Sequence, residues 1–449
     1  MRSSVDANGL TRYCYIYKNA VDAPTVRLHP GDEFILRLKN DLGAPGGATA
    51  ADAGSKHVHH GCGGGPMTIT STNLHFHGLT IPPVCHQDET IRTLIGPSSA
   101  AFEYRFRIPA TESPGLYWYH PHPHGFSEAQ VLGGASGALI VEGIEREKPE
   151  VAGLPERVLI LRDALAPGLG DADEDSGAGK DISLNFVPVM YPLYRPAQLS
   201  VRPGEREFWR VLNASADTFF DVQVRVWASL GDARDPLPLT LIARDGVAAT
   251  DETRTHVLLP PGARAEFIVT TPAAGMSGQL VTLPYDTGRD GTVNPFHALA
   301  NIVASKSAPA AETMPAAAPA AREWQFTGLT NLIPVRTRTL YFSEAQQNPN
   351  YPAEPATYFI TVEGAKPKAF DMNFKKPDIV ARQGTIEDWI VENRAQEAHT
   401  FHIHQIHFQL LERDGHKVNE QALRDTVDLP YWDGKSAHYP RVRLRMDFR

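Results

Sequence analysis

Histidines gather in three short stretches of this sequence: His75-Phe-His77-Gly78, His120-Pro-His122-Pro-His124-Gly125, and the run HTFHIHQIHF that holds His399, His402, His404 and His407. Residues two apart on a strand share a face, so each His-x-His pair sets two imidazoles side by side, about 6–7 Å apart. Such a pair can chelate one ion or reach two adjacent ions. Three pairs supply six imidazoles, more than one ion in an ordinary protein site uses, so a cluster of ions is the economical reading. Neutral imidazole suits copper, zinc, iron or nickel, and the lack of carboxylates beside the motifs argues against magnesium or calcium. In the third stretch a period of two places His402 and His404 on one face and His399 and His407 on the other.

The elements that must position these side chains repeat. Three segments share one pattern: VRLHPGDEFILRLKN ending at Asn40, LSVRPGEREFWRVLN ending at Asn213, and IVARQGTIEDWIVEN ending at Asn393. In each, a Gly stands nine residues before the Asn, at Gly31, Gly204 and Gly384. Three occurrences, 173 and 180 residues apart, argue for three homologous units. Between them lie short alternating runs such as FEYRFRIP, RVLILRD, AEFIVTT and RVRLRM, punctuated by Pro and Gly, with hardly any helical period. The expected fold is all-β, three consecutive β-sandwiches. The expected units are residues 1–148, 149–304 and 323–449. The Ala/Pro-rich stretch 305–322 reads as a linker, and Gly46–Gly65 as a long flexible loop inside unit one.

The whole chain sets bounds on function. Its 449 residues are too many for one core. The formal charge of -9 comes without a basic block, which excludes nucleic acid as the expected partner. No apolar run approaches a membrane span, and MRSSVDANGLTRYC lacks the apolar core of a signal peptide. Three cysteines are too few for a disulfide scaffold, but Cys62 and Cys85 flank one expected strand and are the natural pair, leaving Cys14 over.

The motifs NLHFHG, GLYWYHPHPHG and HTFHIH, in this order over nearly the whole chain, resemble those of three-domain multicopper oxidases, the laccase-like family built from cupredoxin Greek-key sandwiches. The resemblance implies four coppers: a type 1 ion that takes electrons from a small-molecule donor, and a trinuclear cluster (one type 2 and a type 3 pair) that reduces dioxygen to water between the first and third domains. Carried onto this chain, His75 and His402 resemble the type 2 ligands. His77 and His120 resemble ligands of one type 3 ion, and His122 and His404 ligands of the other. His399 resembles a type 1 ligand. Asp88, in CHQDET, matches the family's acidic residue that helps deliver protons; a solvated loop Asp is the plain alternative. His124 and His407 match no ligand and read as supporting or structural residues. His57, His59 and His60 read as a solvated tract, and His86 stays unassigned. The family also implies export to the periplasm or cell exterior.

One ligand is missing from the pattern. A type 1 site needs a thiolate beside two histidines, and residues 323–449 contain no cysteine. The family's His-Cys-His motif, aligned through the repeat, is expected roughly ten to fifteen residues past Arg449. This chain therefore reads as a fragment that binds copper weakly and does not turn over by itself. The competing function is a cupredoxin scaffold, with or without copper but without oxidase activity. A bicupin iron dioxygenase fits less well, since it needs a Glu after each His-x-His. The seven scattered methionines give no copper(I) site, which favours phenolic or other organic donors.

Overall fold

The computed structural model describes the chain except residues 6–8, 10, 19–20, 44–59, 98–99, 165–179, 191–192, 230, 317–327, 347–355, 373, 421 and 449. Strands hold 46% of the residues and helices 4%, so the fold is all-β as the alternating runs require.

In the first unit β1 (Glu33–Leu38) faces a four-stranded sheet that contains β2 (His75–His77). β3 (Phe102–Arg107) pairs antiparallel with β1; β4 (Gly115–His120) lies between β2 and β5 (Gly137–Val141). The core fills the gap with Phe34, Tyr104 and Phe106 from one side and Phe76, Tyr117 and Leu139 from the other. Alternation does the sorting: Phe76 turns inward, to ring centroids 5.6 Å from Phe34 and 4.7 Å from Phe106. Its neighbours His75 and His77 turn out of the other face.

The second unit repeats the scheme around β6 (Arg206–Asn213) and β7 (Arg264–Thr270), which pair antiparallel. Its large apolar core draws on both of its sheets. A smaller cluster of Leu116, Trp118, Ala138 and Ile140 against Ile160, Leu212 and Ala214 joins units one and two. The third unit has β8 (Ile386–Asn393), then β9 (His399–His402) paired with β10 (Thr426–Leu429), and finally β11 (Arg441–Asp447), which pairs antiparallel with β8.

The Gly–Asn pattern performs one job three times. Gly31, Gly204 and Gly384 each hold a positive φ, of 93°, 68° and 83°, at the turn that starts the strand. Asn40, Asn213 and Asn393 are buried at the strand end, and each donates from Nδ2 to two backbone carbonyls. Each also accepts at Oδ1 the N–H of the residue two on. One side chain thus satisfies three groups where a strand leaves its sheet.

Two expectations need correction. The run HTFHIHQIHF is not one strand: β9 ends at His402, Gln405 takes φ 63°, and the next strand begins at Phe408. The stretch expected as a linker is docked over its described part. Glu312–Thr313 pairs with Pro155–Glu156, and Met314 is buried against Ile144, Val151 and Phe208. The expected Cys62–Cys85 disulfide is formed, and Cys14 is a half-buried free thiol.

Candidate metal centre

β2 and β4 place three imidazoles by register alone. His120 stands directly opposite His75, and Trp118 opposite His77. The Pro121 bend carries His122 back toward them, held by its N–H on Asn73 Oδ1 at 2.7 Å. From the third unit, β9 delivers His402 and the turn after it delivers His404.

The six imidazoles converge. Ring centroids lie 5.2 Å apart for His75–His120, 3.8 Å for His75–His404, 3.6 Å for His77–His402 and 5.9 Å for His120–His122. The three pairs expected to share an ion lie at 6.0 Å (His75–His402), 5.7 Å (His77–His120) and 5.1 Å (His122–His404). Donor nitrogens of His75, His77 and His402 all fall within 4.8 Å of one another.

Burial keeps five of these rings neutral: His75, His77, His120, His122 and His404. It holds His120 down to about 3 and His122 down to about 4, with neighbouring imidazoles adding to the effect. Burial, followed by the surrounding histidines, holds His75 and His404 well below the usual imidazole range, and His77 likewise. A neutral imidazole offers one lone pair, and hydrogen bonds select which nitrogen keeps it. His75 Nδ1 is 3.0 Å from Asp88 Oδ1, His120 Nδ1 is 2.9 Å from Pro121 O, and His402 Nδ1 is 2.9 Å from Asp425 O. Each of these three presents Nε2. The Nε2 atoms of His75 and His402 are buried without a hydrogen-bond partner. Leaving such atoms bare is costly in an apolar interior, and a soft divalent ion fits them.

Asp88 is fully buried, so the solvated-loop alternative does not hold. It accepts from the Phe76 N–H and from Gln405 Nε2, both at 2.9 Å, the latter a contact from unit three. Burial pushes its pKa well above the usual carboxylate range, against those two donors.

His399 stands apart from the six, as its opposite face on β9 requires. Its ring stacks on Phe342 at 4.9 Å, its Nε2 is buried without a partner, and burial holds it down to about 4. It opens on a cavity of about 1200 Å³ lined also by Tyr358, Phe370, Phe374, Lys368 and Glu397.

The remaining histidines separate cleanly. His407 is buried, with Nε2 2.9 Å from Asp245 O, so it joins units two and three, a structural place as expected. His124 is exposed, with its ring 5.2 Å from Phe370. His86 caps Glu103 O and stacks on Phe102, and His60 is exposed at the edge of the same ring. His57 and His59 lie outside the described residues.

Sequence reasoning missed Arg264, Gln405, Asp425 and Thr426. Arg264 Nη1 and Nη2 donate to the two oxygens of Asp425 at 2.8 and 2.7 Å. Asp425 Oδ1 is 3.3 Å from His77 Nε2 and accepts from Thr426 Oγ1 at 2.7 Å. Burial alone would raise Asp425; the Arg264 charge overrides it and holds the carboxylate well below its usual range.

Comparisons with known proteins bear on the family and the fold. Family models described as multicopper oxidase match residues 66–146 and 343–443. The chain is similar to the multicopper oxidase MmcO of Mycobacterium tuberculosis, 23% identical over 249 residues, covering 49% of this chain and 42% of that protein. It is similar to the multicopper oxidase LPR1 homolog 1 of Oryza sativa subsp. japonica, 22% identical over 374 residues, covering 74% and 56%. The chain thus spans about half the length of these curated relatives. Among solved structures, a multicopper oxidase from Campylobacter jejuni described as a metallo-oxidase superposes with TM-score 0.67 at 22% identity, covering 99% of this chain and 84% of that one. McoA multicopper oxidase from Aquifex aeolicus gives TM-score 0.67 at 17% identity, covering 100% and 89%. At these identities the structural likeness speaks for the fold.

Proposed function

The chain belongs to the multicopper oxidase family, and we propose that it carries the dioxygen-reducing centre of a laccase-like oxidase. The reaction couples one-electron oxidation of a phenolic or other small organic donor to reduction of dioxygen to water. Four donor molecules give up one electron each, and one dioxygen takes four electrons and four protons to yield two waters. The observation that carries the reading is the convergence of six imidazoles from two units, with the buried Nε2 atoms of His75 and His402 bare.

His75 and His402 would hold a type 2 copper, His77 with His120 one type 3 copper, and His122 with His404 the other. His399 would serve a type 1 copper. Copper bound at these residues supplies the one-electron redox chemistry that no side chain here provides. The protein's own part is to hold the rings oriented. Asp88, oriented beside His75 by the N–H that Gln405 Nε2 donates to its Oδ2, is kept by burial in the range where it can carry a proton for the cluster. The aromatic wall of Phe342, Tyr358 and Phe370 next to His399 supports an organic donor. The Cys62–Cys85 disulfide supports export to an oxidising compartment. Among the described residues no helix is long and apolar enough to cross a membrane.

A second reading has its own observation. No cysteine lies among residues 323–449, so His399 has no thiolate in its unit. On that ground a copper-binding cupredoxin scaffold without oxidase activity is the alternative, and the 449-residue chain alone is proposed not to turn over.

Copper analysis and oxygen uptake test both readings. The chain is expected to bind copper without the intense visible band of thiolate-ligated copper, and to lose that copper in a His75→Ala/His402→Ala variant. Appending a segment with a His-Cys-His motif is expected to give the visible band and donor-dependent oxygen consumption. A visible band in the unmodified chain would sink the ligand assignment. Full copper loading of the extended chain without oxygen uptake would favour the scaffold.

A further inference from the structure

We propose that Arg264 is a positioning residue for the histidine cluster: from the unit that supplies no ligand, it pins Asp425, and Asp425 fixes His77 through Nε2 so that Nδ1 is the nitrogen turned to a metal. The proposal rests on the copper-cluster reading above and adds a residue and a unit to it.

Arg264 lies on β7, with its side chain fully buried. One guanidinium reaches all three units. Its Nη1 and Nη2 close on Asp425 of unit three, its Nε donates to Leu116 O on β4 of unit one at 3.1 Å, and Nη1 also donates to Gly262 O of its own unit at 3.1 Å. β4 is the strand that ends in His120, so the arginine braces a ligand strand as well as Asp425.

Asp425 passes the restraint on to two rings. A carboxylate only accepts, so His77 carries its proton on Nε2, which faces Oδ1, and Nδ1 keeps the lone pair. The Asp425 carbonyl takes the other course with His402: it engages Nδ1 at 2.9 Å and leaves Nε2 bare. One residue thereby sets opposite tautomers on two rings stacked 3.6 Å apart. Thr426 Oγ1, 3.3 Å from both His77 Nε2 and His402 Nδ1, closes the network.

Adhesion between units does not require this arrangement. A buried ion pair contributes little net stability, because desolvating both charges offsets their attraction, and an apolar pair of similar volume joins domains at lower cost. What an apolar pair cannot do is fix an imidazole tautomer.

The test uses the 449-residue chain with Arg264→Met, Arg264→Lys, Asp425→Asn and the double variant Arg264→Met/Asp425→Asn. The double variant removes both charges of the Arg264–Asp425 pair, while Asp425→Asn alone keeps Arg264 beside the buried Asp245, 3.5 Å from its Nη1, and so keeps the question answerable if the Met variants do not fold. Cupric-ion affinity is measured by chelator competition, histidine tautomers by nitrogen-15 spectroscopy of the metal-free protein, and folding by urea denaturation. The expected result is a folded double variant with copper affinity lowered roughly 10- to 100-fold and a His77 ring no longer locked in the Nε2–H form. Arg264→Lys should recover part of the affinity lost in Arg264→Met. Wild-type affinity together with an unchanged His77 tautomer in the folded double variant would overturn the proposal. If His75→Ala/His402→Ala leaves copper binding of the parent chain unchanged, copper is not at the cluster; that outcome overturns the metal reading itself, and the proposal with it.

Discussion

Gly78 lies hard against Asp425: a Cβ built on Gly78 would come within 2.6 Å of Asp425 Oδ2 and would also meet the Arg264 guanidinium. Its φ of 90° adds a backbone penalty for any other residue. Gly78→Ala is therefore expected to destabilise the chain by about 2–4 kcal/mol, the strain of a positive φ plus overpacking. Gly31→Ala is the control, because Gly31 has φ 93° but nothing within 4 Å of its built Cβ. It should cost only about 1 kcal/mol. Urea denaturation of both variants reads the difference, and equal costs would mean that the space beside Asp425 is not needed.

The depressed pKa values of the cluster set a pH limit for metal retention. Protons compete with a metal for the imidazole lone pair. A ligand at the ordinary value of about 6.5 begins to lose that competition near pH 6.5. His120 at about 3, and His122 and His399 at about 4, protonate only at lower pH. Copper at these histidines should therefore be retained down to about pH 4 and released below it. Equilibrium dialysis against a fixed chelator across this range checks the midpoint. A midpoint near 6.5 would show that copper sits on exposed histidines.

Glu112 offers a second pH test, independent of metal. It is buried, accepts from Thr80 N and Oγ1 at 3.0 and 2.6 Å, and burial pushes it up to about 7. The folded state then keeps a proton that the unfolded chain gives up near 4.5. This contribution is present below 4.5 and is lost as pH rises through about 7. Glu112→Gln removes the dependence, so the variant should gain on the parent by about 2–3 kcal/mol between pH 5 and pH 8. Denaturant titrations at the two pH values measure the gap, and a constant gap would contradict the raised value.

The all-β fold and the shared face of the His-x-His pairs were legible because they are written in local periods. Alternation marks strands, the Gly–Asn spacing marks the repeat, and His-x-His marks a ligand face. What stayed hidden depends on contacts far apart in the chain. Arg264 and Asp425 are separated by 161 positions, and Gln405 and Asp88 by 317; no local period carries either pairing. The break of HTFHIHQIHF at His402 was also invisible. Its apolar residues have strand propensity throughout, and the positive φ falls on Gln405, a residue type that does not advertise a turn. The docking of the stretch around Met314 was hidden for a related reason, since Ala and Pro suggest a spacer and only the tertiary structure shows a buried methionine.

The three repeat asparagines allow a prediction that the sequence pattern alone could not frame. Asn213 donates to Thr218 O and Leu259 O, both at 2.8 Å, and accepts from Ser215 N at 3.0 Å. Asn393 does the same with Glu397 O, Pro430 O and Ala395 N. Asn213→Ala removes the Nδ2 donations to Thr218 O and Leu259 O and the acceptor of the Ser215 N–H, and should cost about 2–4 kcal/mol. Asn213→Asp keeps the shape and the acceptor but turns a carboxylate oxygen toward two carbonyl oxygens. At neutral pH it should therefore cost more than Ala, and the order should reverse in acid, where the protonated carboxyl regains a donor. Asn393 should follow the same order, because its partners are of the same kind. Denaturation of the four variants at neutral and acidic pH checks the sign. If Asp is the milder substitution at neutral pH, the Nδ2 donations do not hold the strand ends.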